Sequence, residues 1–198
     1  MGLNYSYMPG QTPLDVDELD GLRIPTIATR SELDEFEQHN IEEAIQWQMS
    51  RSFRSETILT EDFVCNLHKR MYGNVWSWAG QFRRTDKNIG VDKWQIPVAL
   101  RCLLDDTAFQ IANTVYHPEE VSIRFKHRIV SIHCFPNGNG RHSRLMADIM
   151  IEKIFRLPVF SWGAIRLTGQ GEARDAYLRA LKSADAGDMM PLLVFARS

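Results

Sequence analysis

Residues 133–144, with the sequence His-Cys-Phe-Pro-Asn-Gly-Asn-Gly-Arg-His-Ser-Arg, constrain this chain more than any other stretch. Apolar residues recur every three or four positions on both sides of it, which predicts one helix that ends at His133 and a second that begins soon afterwards. The incoming helix can open at Pro118, because proline is well tolerated in a first helical turn. The sequence leaves only a tight loop, residues 136–140, between the two helices.

The composition of this loop favours anion binding. Gly138 and Gly140 remove the steric penalty on unusual backbone angles, so that consecutive N–H groups can converge on one point. The helix that follows begins with unpaired N–H groups and a partial positive charge, and Arg141 and Arg144 lie on one of its faces. Phosphate is the expected ligand, and His133 would lie beside it as a group that exchanges protons near neutral pH.

The stretch resembles the signature of Fic-domain (fido) proteins, HxFx(D/E)GNxRxxR, which transfer AMP from ATP to a protein hydroxyl. The matching positions are His133, Phe135, Gly138, Asn139, Arg141 and Arg144. Asn137 departs from the signature, because the family usually has Asp or Glu there, and Cys134 stands where Pro is common. With the run at residues 67–83 and the opening residues 12–15, the likeness covers roughly residues 12–195 and is closest to the subfamily called mobile mystery protein B.

By this resemblance, His133 is the general base that takes the proton from a Tyr, Ser or Thr hydroxyl of a target protein. The hydroxyl oxygen attacks the α-phosphorus of ATP and pyrophosphate leaves. The nucleotide-binding residues implied are Gly138, Asn139, Gly140, Arg141 and Arg144. Arg141 would bind the β-phosphate and Arg144 the γ-phosphate. An ordinary turn between helices would also contain Asn and Gly, and a histidine at a helix end can simply meet the helix dipole.

Magnesium is expected together with ATP, again by resemblance, and Asn137 is the candidate ligand. A neutral amide oxygen is a legitimate ligand for this cation but a poorer one than a carboxylate. The metal could therefore be held mainly by the phosphates. Alternatively, turnover could be low, or the donor could differ from ATP.

Many Fic proteins carry an inhibitory glutamate, within (S/T)xxxE(G/N), that pairs with the second arginine of the signature and misplaces the nucleotide. This chain has no full match to that pattern. Glu35, four residues after Ser31, and Glu37 are the two candidates, and both could equally be solvent-facing charges on a helix. Replacing the true inhibitor with Gly is expected to raise activity.

The rest of the chain predicts an all-α fold, a Fic-like helical bundle with a small β-hairpin. Residues 1–28 contain too many Gly and Pro residues for a regular element and are expected to form an N-terminal arm, with a single helical domain at residues 29–198. Besides the two helices at the loop, helices are expected from Thr29 or Ser31 to about Met49, from Thr60 to Gly73, from Pro97 to about Tyr116, from Gly171 to about Ala186 and from about Asp188.

The hairpin is expected in the segment at residues 84–95, where short runs are separated by Asn and Gly. In Fic proteins the corresponding segment is a flap that holds the extended backbone of the target by strand addition. By resemblance, the target protein is expected to dock along these residues. We call residues 84–95 the flap.

Composition narrows the class of protein. With 44% hydrophobic and 24% charged residues, the 198-residue chain is typical of a soluble globular protein. A net charge of -2 gives no reason to expect general nucleic-acid binding, and no apolar run approaches the roughly 20 residues that span a bilayer. The widely spaced Cys65, Cys102 and Cys134 fit a reducing cytoplasm. The phosphate-binding motifs of P-loop and Rossmann folds are absent from the sequence.

Three hypotheses on function follow. The first is a protein adenylyltransferase that uses Mg²⁺ and ATP. The second is a Fic-fold transferase with another donor, since the fold also supports transfer of phosphocholine, UMP or phosphate; Gly140 argues against the phosphotransferase branch, which carries Lys there. The third is a weakly active module that binds nucleotide or a partner as half of a toxin–antitoxin-like pair, and the subfamily resemblance makes a small helix-turn-helix partner plausible.

Overall fold

The computed structural model describes residues 15–163 and 170–198. In chain order its helices are α1 (Val16–Leu19), α2 (Arg30–Met49), α3 (Ser55–Ile58), α4 (Glu61–Tyr72), α5 (Ile96–Ala112), α6 (Pro118–Ile132), α7 (Asn139–Ile149), α8 (Gln170–Asp185) and α9 (Met190–Arg197). A 3-10 turn at Lys93–Gln95 leads into α5, and a π-helical turn at Met150–Ile154 extends α7. These two described ranges contain no β-strand, which confirms the predicted all-α class.

Local side-chain chemistry sets the helix ends. Thr29 caps α2 in a capping box, because its hydroxyl accepts the Glu32 N–H group (3.3 Å) and the Glu32 carboxylate accepts the Thr29 N–H group (3.0 Å). Thr60 caps α4 by accepting the Phe63 N–H group at 3.1 Å. The helix predicted up to about Tyr116 ends earlier, at Ala112, because Thr114 takes a left-handed conformation with φ 51°.

Helix α6 organises the interior, since it packs against α5, α7 and α9. It contributes to two apolar clusters. The larger cluster receives Val121, Phe125, Ile129 and Ile132 from α6, together with residues of α4 and α5. The smaller one receives Ile123 and is completed by Ala180, Ala184, Leu192 and Ala196 of α8 and α9. Packing on both faces therefore fixes the end of α6. We call residues 133–141, which follow it, the signature loop.

The described part of the predicted arm, residues 15–28, packs on the segment that follows α4. The Arg23 N–H group donates to the Val75 carbonyl and the Ser77 N–H group to the Gly21 carbonyl, both at 2.8 Å. Residues 1–14 lie outside the described residues, so the division into an arm and one domain stays a prediction. Among the helices of the described ranges, none combines the length and the apolarity that crossing a bilayer requires.

The flap forms irregular turns, and the predicted β-hairpin is not seen in it. The Arg83 guanidinium binds the backbone carbonyls of Thr85 (2.8 Å) and Val91, which a hairpin would use for cross-strand hydrogen bonds. The Val91 N–H group donates to the Ile132 carbonyl at the end of α6 (3.3 Å). The Val91 bond attaches the flap to the last residue of α6.

Candidate active site

His133 ends α6 in an unusual backbone conformation. Its φ of 58° is left-handed, which costs a residue other than Gly about 1–2 kcal/mol. The His133 carbonyl accepts a hydrogen bond from Arg83 Nε at 2.7 Å, and Gly90 of the flap lies so close that a Cβ there would be 2.8 Å from the His133 Cβ. The surrounding contacts thus stabilise a conformation that the residue would rarely adopt alone.

The environment of His133 keeps its imidazole neutral. The residue is 4% exposed, and this burial lowers the pKa of its imidazole to about 4, well below the usual 6.5. Near neutral pH the ring is therefore neutral and can accept a proton. A general base must start in this neutral form, and the role of His133 as that base stays a prediction.

The Asn139 side chain closes the loop, while its backbone N–H group stays available for the phosphate cradle expected from the sequence. Its side-chain oxygen accepts the Phe135 N–H group (3.0 Å), and its side-chain nitrogen donates to the Phe135 carbonyl (2.7 Å). These two hydrogen bonds to one residue close the loop. Only the backbone N–H group of Asn139 remains as a candidate phosphate contact.

Two residues of α4 that sequence reasoning did not assign also shape the loop. His68 is buried, stacks on the Phe135 ring at 3.8 Å and accepts the Gly80 N–H group at Nδ1 (3.0 Å). Its Nε2 therefore carries the proton and donates to the Asn137 carbonyl at 3.0 Å. Burial lowers the pKa of His68 well below its ordinary value.

Tyr72, one turn after His68, explains the glycine at position 138. Gly138 has a φ of 77°, and a Cβ on it would lie 2.6 Å from the Tyr72 ring. Both the backbone angle and the close approach therefore require glycine. The four-residue spacing of His68 and Tyr72 puts them on one face of α4, which is the one signal in the sequence for this pair.

The N–H groups at the start of α7 are the candidate phosphate cradle. The Gly138 N–H group is used by the Asn137 side-chain oxygen at 2.6 Å, and the His142 N–H group begins the helical bonding to the Gly138 carbonyl at 2.9 Å. Within the described chain, the N–H groups of residues 139–141 meet no acceptor. A Cβ on Gly140 would meet nothing within 4 Å, so this helix end faces open space.

The two signature arginines lie in different surroundings. Arg141 forms an ion pair with Glu37 of α2, with 2.6 Å between Nη2 and Oε2. Arg144 lies over the Tyr177 ring at 5.8 Å and forms no ion pair with any residue in the described ranges. One arginine is thus fixed by a carboxylate, and the other is open to an anion.

The two candidate inhibitory glutamates are also placed differently. Glu35 is exposed and lines a shallow surface groove with Ser31 and Asp34. Glu37 is buried and contacts Arg141 instead of Arg144. Neither glutamate forms an ion pair with Arg144 in the described part of the chain, and a role for Glu35 stays a prediction.

The residues around the loop do not fit a magnesium site held by the protein. The side-chain oxygen of Asn137, the predicted ligand, is directed to the Gly138 N–H group. Across residues 15–163 and 170–198, His, Cys, Asp and Glu side chains form no cluster arranged for a metal. A magnesium ion at this loop would have to be bound chiefly by the phosphates of its nucleotide.

The flap combines a buried inner edge with an exposed outer face. Arg83, just before the flap, is buried and binds both the flap and the His133 carbonyl, although nothing in the sequence distinguishes it from its neighbour Arg84. Lys87 is held by Asp15 (2.8 Å) and Glu18 (2.5 Å) of the N-terminal segment. On the outer face Trp94 is 81% exposed.

Comparison with known proteins points to one family. Residues 58–151 match the model of the Fic/DOC family. Over 170 residues the chain is 25% identical to protein adenylyltransferase Fic of Nematostella vectensis. This alignment covers 84% of this chain and 38% of the relative. The chain is 28% identical over 136 residues to the protein of the same name from Drosophila grimshawi, covering 67% of this chain and 26% of the relative. The chain thus spans well under half the length of these relatives.

A solved structure shares the fold. The BepC protein of Bartonella tribocorum, crystallised with bound AMPPNP, superposes with a TM-score of 0.66 at 16% identity, covering 92% of this chain and 97% of that one. The narrower likeness to the mobile mystery protein B subfamily stays a prediction. Since the family match includes the loop at residues 133–144 and the fold agrees, the chain contains a Fic/DOC domain at residues 58–151.

Proposed function

We propose that this protein is a protein adenylyltransferase that transfers AMP from ATP to a hydroxyl group of a target protein. The target oxygen attacks the α-phosphorus, and the bond between this phosphorus and the oxygen bridging to the β-phosphate breaks. Pyrophosphate leaves with the electron pair of that bond. His133 takes the proton of the attacking hydroxyl.

One observation carries the proposal. A buried, neutral His133 lies at the end of α6, and the N–H groups of residues 139–141 at the start of α7 have no acceptor in the described chain. A proton acceptor and an anion-binding helix end are therefore separated by a single short loop. This is the arrangement that phosphoryl transfer to an alcohol needs, because the protein must position and neutralise phosphates while one group removes a proton.

The arginines and the flap complete the proposed site. Arg141 and Arg144 would bind the β- and γ-phosphates, whose charge a guanidinium matches well. The flap, attached to the His133 carbonyl through Arg83, would hold the target segment beside the imidazole. The exposed Trp94 supplies an apolar contact for the target on this face.

The test compares the wild-type protein with His133→Ala. Both are incubated with α-labelled ATP, Mg²⁺ and a lysate that supplies target proteins. We expect label on protein with the wild type and a rate lower by about 10²–10⁴-fold with the variant, because the general base is lost. Calorimetry with a non-hydrolysable ATP analogue is the control, since the variant should still bind it.

Other outcomes would redirect the assignment. Label transferred from γ-labelled ATP would mean phosphate transfer, and transfer only from another nucleotide would mean another donor. No transfer by the wild type, together with tight analogue binding, would support a nucleotide-binding module that works with a small partner protein. If His133→Ala transferred AMP as fast as the wild type, the proposed role of His133 would be wrong.

A further inference from the structure

Glu37 connects the signature loop with a distant part of the molecule. It lies on α2, 104 positions before Arg141, and is 3% exposed. One carboxylate oxygen accepts a hydrogen bond from Arg141 Nη2 at 2.6 Å, and the other accepts the indole N–H group of Trp76 at 2.7 Å. Both oxygens therefore have a partner.

From this geometry we infer that Glu37 is a positioning residue that holds Arg141 ready for a phosphate, and not a carboxylate that competes with the nucleotide. The inference rests on the proposed function, since it assigns Arg141 to the phosphates of ATP. It also reverses the sign of the effect that the sequence predicted for Glu37. An inhibitor would slow the reaction, whereas a positioning residue supports it.

The first argument is the cost of moving Glu37 aside. A competing carboxylate must leave its arginine when the nucleotide binds. Here that movement would also break the bond to the fully buried Trp76, leaving an indole N–H group and a carboxylate without partners. Burying unpaired polar and charged groups is costly, so the contact is expected to persist while the nucleotide is bound.

The second argument is the orientation of Arg141. Its side chain is 30% exposed, and its guanidinium lies over the Tyr72 ring at 5.2 Å. Glu37 uses Nη2, whereas Nε and Nη1 meet no acceptor in the described part of the chain. A guanidinium carries donors on several edges, so one edge can be anchored while another binds phosphate. The ring and the carboxylate together restrict a long side chain that would otherwise lose rotamer entropy on binding.

Two effects act in opposite directions on nucleotide binding when Glu37 is replaced. Loss of a negative charge near the phosphates favours nucleotide binding, whereas loss of the anchor leaves Arg141 free to adopt other rotamers. Glutamine is nearly the same size but offers a single acceptor oxygen and an NH₂ donor. Because Arg141 and Trp76 both donate, Glu37→Gln must leave one donor facing another donor. The loss of the anchor is expected to weaken nucleotide binding more than the removal of the negative charge strengthens it.

Calorimetric binding of a non-hydrolysable ATP analogue tests the inference. The proteins are the wild type, Glu37→Gln, Arg141→Ala and the double variant, with Glu42→Gln as the matched control, because Glu42 is an exposed glutamate on the same helix. We expect Glu37→Gln to weaken binding about tenfold and Glu42→Gln to leave it unchanged. In the Arg141→Ala background, Glu37→Gln should cost nothing further, because its effect passes through Arg141.

Each other result has a defined meaning. Unchanged or tighter binding by Glu37→Gln, or the same loss with and without Arg141, would overturn the positioning role. If Arg141→Ala itself binds like the wild type, the proposed nucleotide site is wrong, which is a separate failure. Should Glu37→Gln fail to fold, Trp76→Phe is the second variant, because it removes the indole donor that fixes Glu37 and leaves the Glu37 carboxylate charged. Nucleotide binding should then weaken by a smaller factor, about threefold. Tighter binding would contradict the inference.

Discussion

The signature loop at residues 133–141 and the flap at residues 84–95 lie on two sides of His133, and they are stabilised in different ways. The loop is held from beneath by buried side chains, chiefly His68 and Tyr72 of α4. The flap has regular structure only at its last turn. It is joined to the loop through the Arg83 side chain, which binds flap carbonyls and the His133 carbonyl, and to the end of α6 through the Val91 N–H group.

Under the proposed function, this difference separates two tasks. Phosphate chemistry requires atoms that stay within a few tenths of an ångström of their positions, and packed aromatic rings provide that precision. A surface that receives a target segment needs exposed backbone and apolar groups instead, such as Trp94. We therefore expect substitutions under the loop to reduce stability and chemistry, and substitutions on the outer flap to reduce target binding alone.

Arg83→Ala should have the largest effect, because it breaks the connection between the two regions. The carbonyls of Thr85, Val91 and His133 lose their common donor. We expect the free energy of unfolding to fall by about 4 kcal/mol, as measured by chemical denaturation. Arg84→Ala is the control: Arg84 is exposed, and its removal should change stability by less than about 0.5 kcal/mol. Equal stability of the two variants would contradict the role given to Arg83.

Gly138→Ala should have the next largest effect, and it acts on the loop alone. The new methyl group would meet the Tyr72 ring at 2.6 Å in a left-handed conformation. Backbone strain and overpacking together should cost about 3 kcal/mol of unfolding free energy. Gly140→Ala is the control, because its methyl group would meet nothing within 4 Å. A Gly138→Ala protein that melts at the wild-type temperature would show that the loop is not tightly packed on α4.

Acidic pH should lower the free energy of unfolding through the buried histidines around the signature loop. Burial lowers the pKa of His133 and His142 to about 4, and that of His68 well below 6.5. As the pH falls, these histidines are protonated in the unfolded chain at a higher pH than in the folded one. Their contribution to the free energy of unfolding is therefore fully present above pH 6.5 and is lost as the pH falls towards 4. Each histidine contributes a slope of up to about 1.4 kcal/mol per pH unit. Denaturation at pH 7, 6 and 5 measures it.

Asp148 opposes this trend. Burial raises the pKa of Asp148 to about 6, so its contribution to stability grows as the pH falls through 6. Since the histidines outnumber it, the net free energy of unfolding should still decrease. The Asp148→Asn variant removes the opposing group and should steepen the decrease. A stability that stays constant between pH 7 and pH 5 would mean that the histidines are more exposed than described.

Trp94→Ala should have the smallest effect on the molecule itself, because it alters only the outer flap. We expect the KM for the target protein to rise about tenfold, as for the loss of an aromatic contact at an interface. Stability and binding of an ATP analogue should stay unchanged. Phe109→Ala is a matched control, since Phe109 is 63% exposed on α5, outside the flap. If both variants raise the KM equally, the effect does not come from docking on the flap.

Sequence reasoning succeeded where the relevant contacts are local. The caps at Thr29 and Thr60 act within three residues, so the starts of α2 and α4 could be predicted. The hairpin prediction failed because it depended on a distant contact. Val91 and Thr85 could not form a hairpin once Arg83 had bound their carbonyls, and Arg83 is held in turn by the His133 carbonyl, 50 positions away. The local sequence contains no trace of that bond.

The sequence by itself determined that a helix ends at His133, that a glycine-containing loop follows and that two arginines lie on the next helix, because helix periodicity and backbone freedom are properties of neighbouring residues. The tertiary structure alone decided that His133 is buried and neutral and that Arg141 is paired with Glu37. It also decided that Asn139 closes the loop. Burial and ion pairing depend on residues that are far apart in the chain and meet only when the helices pack.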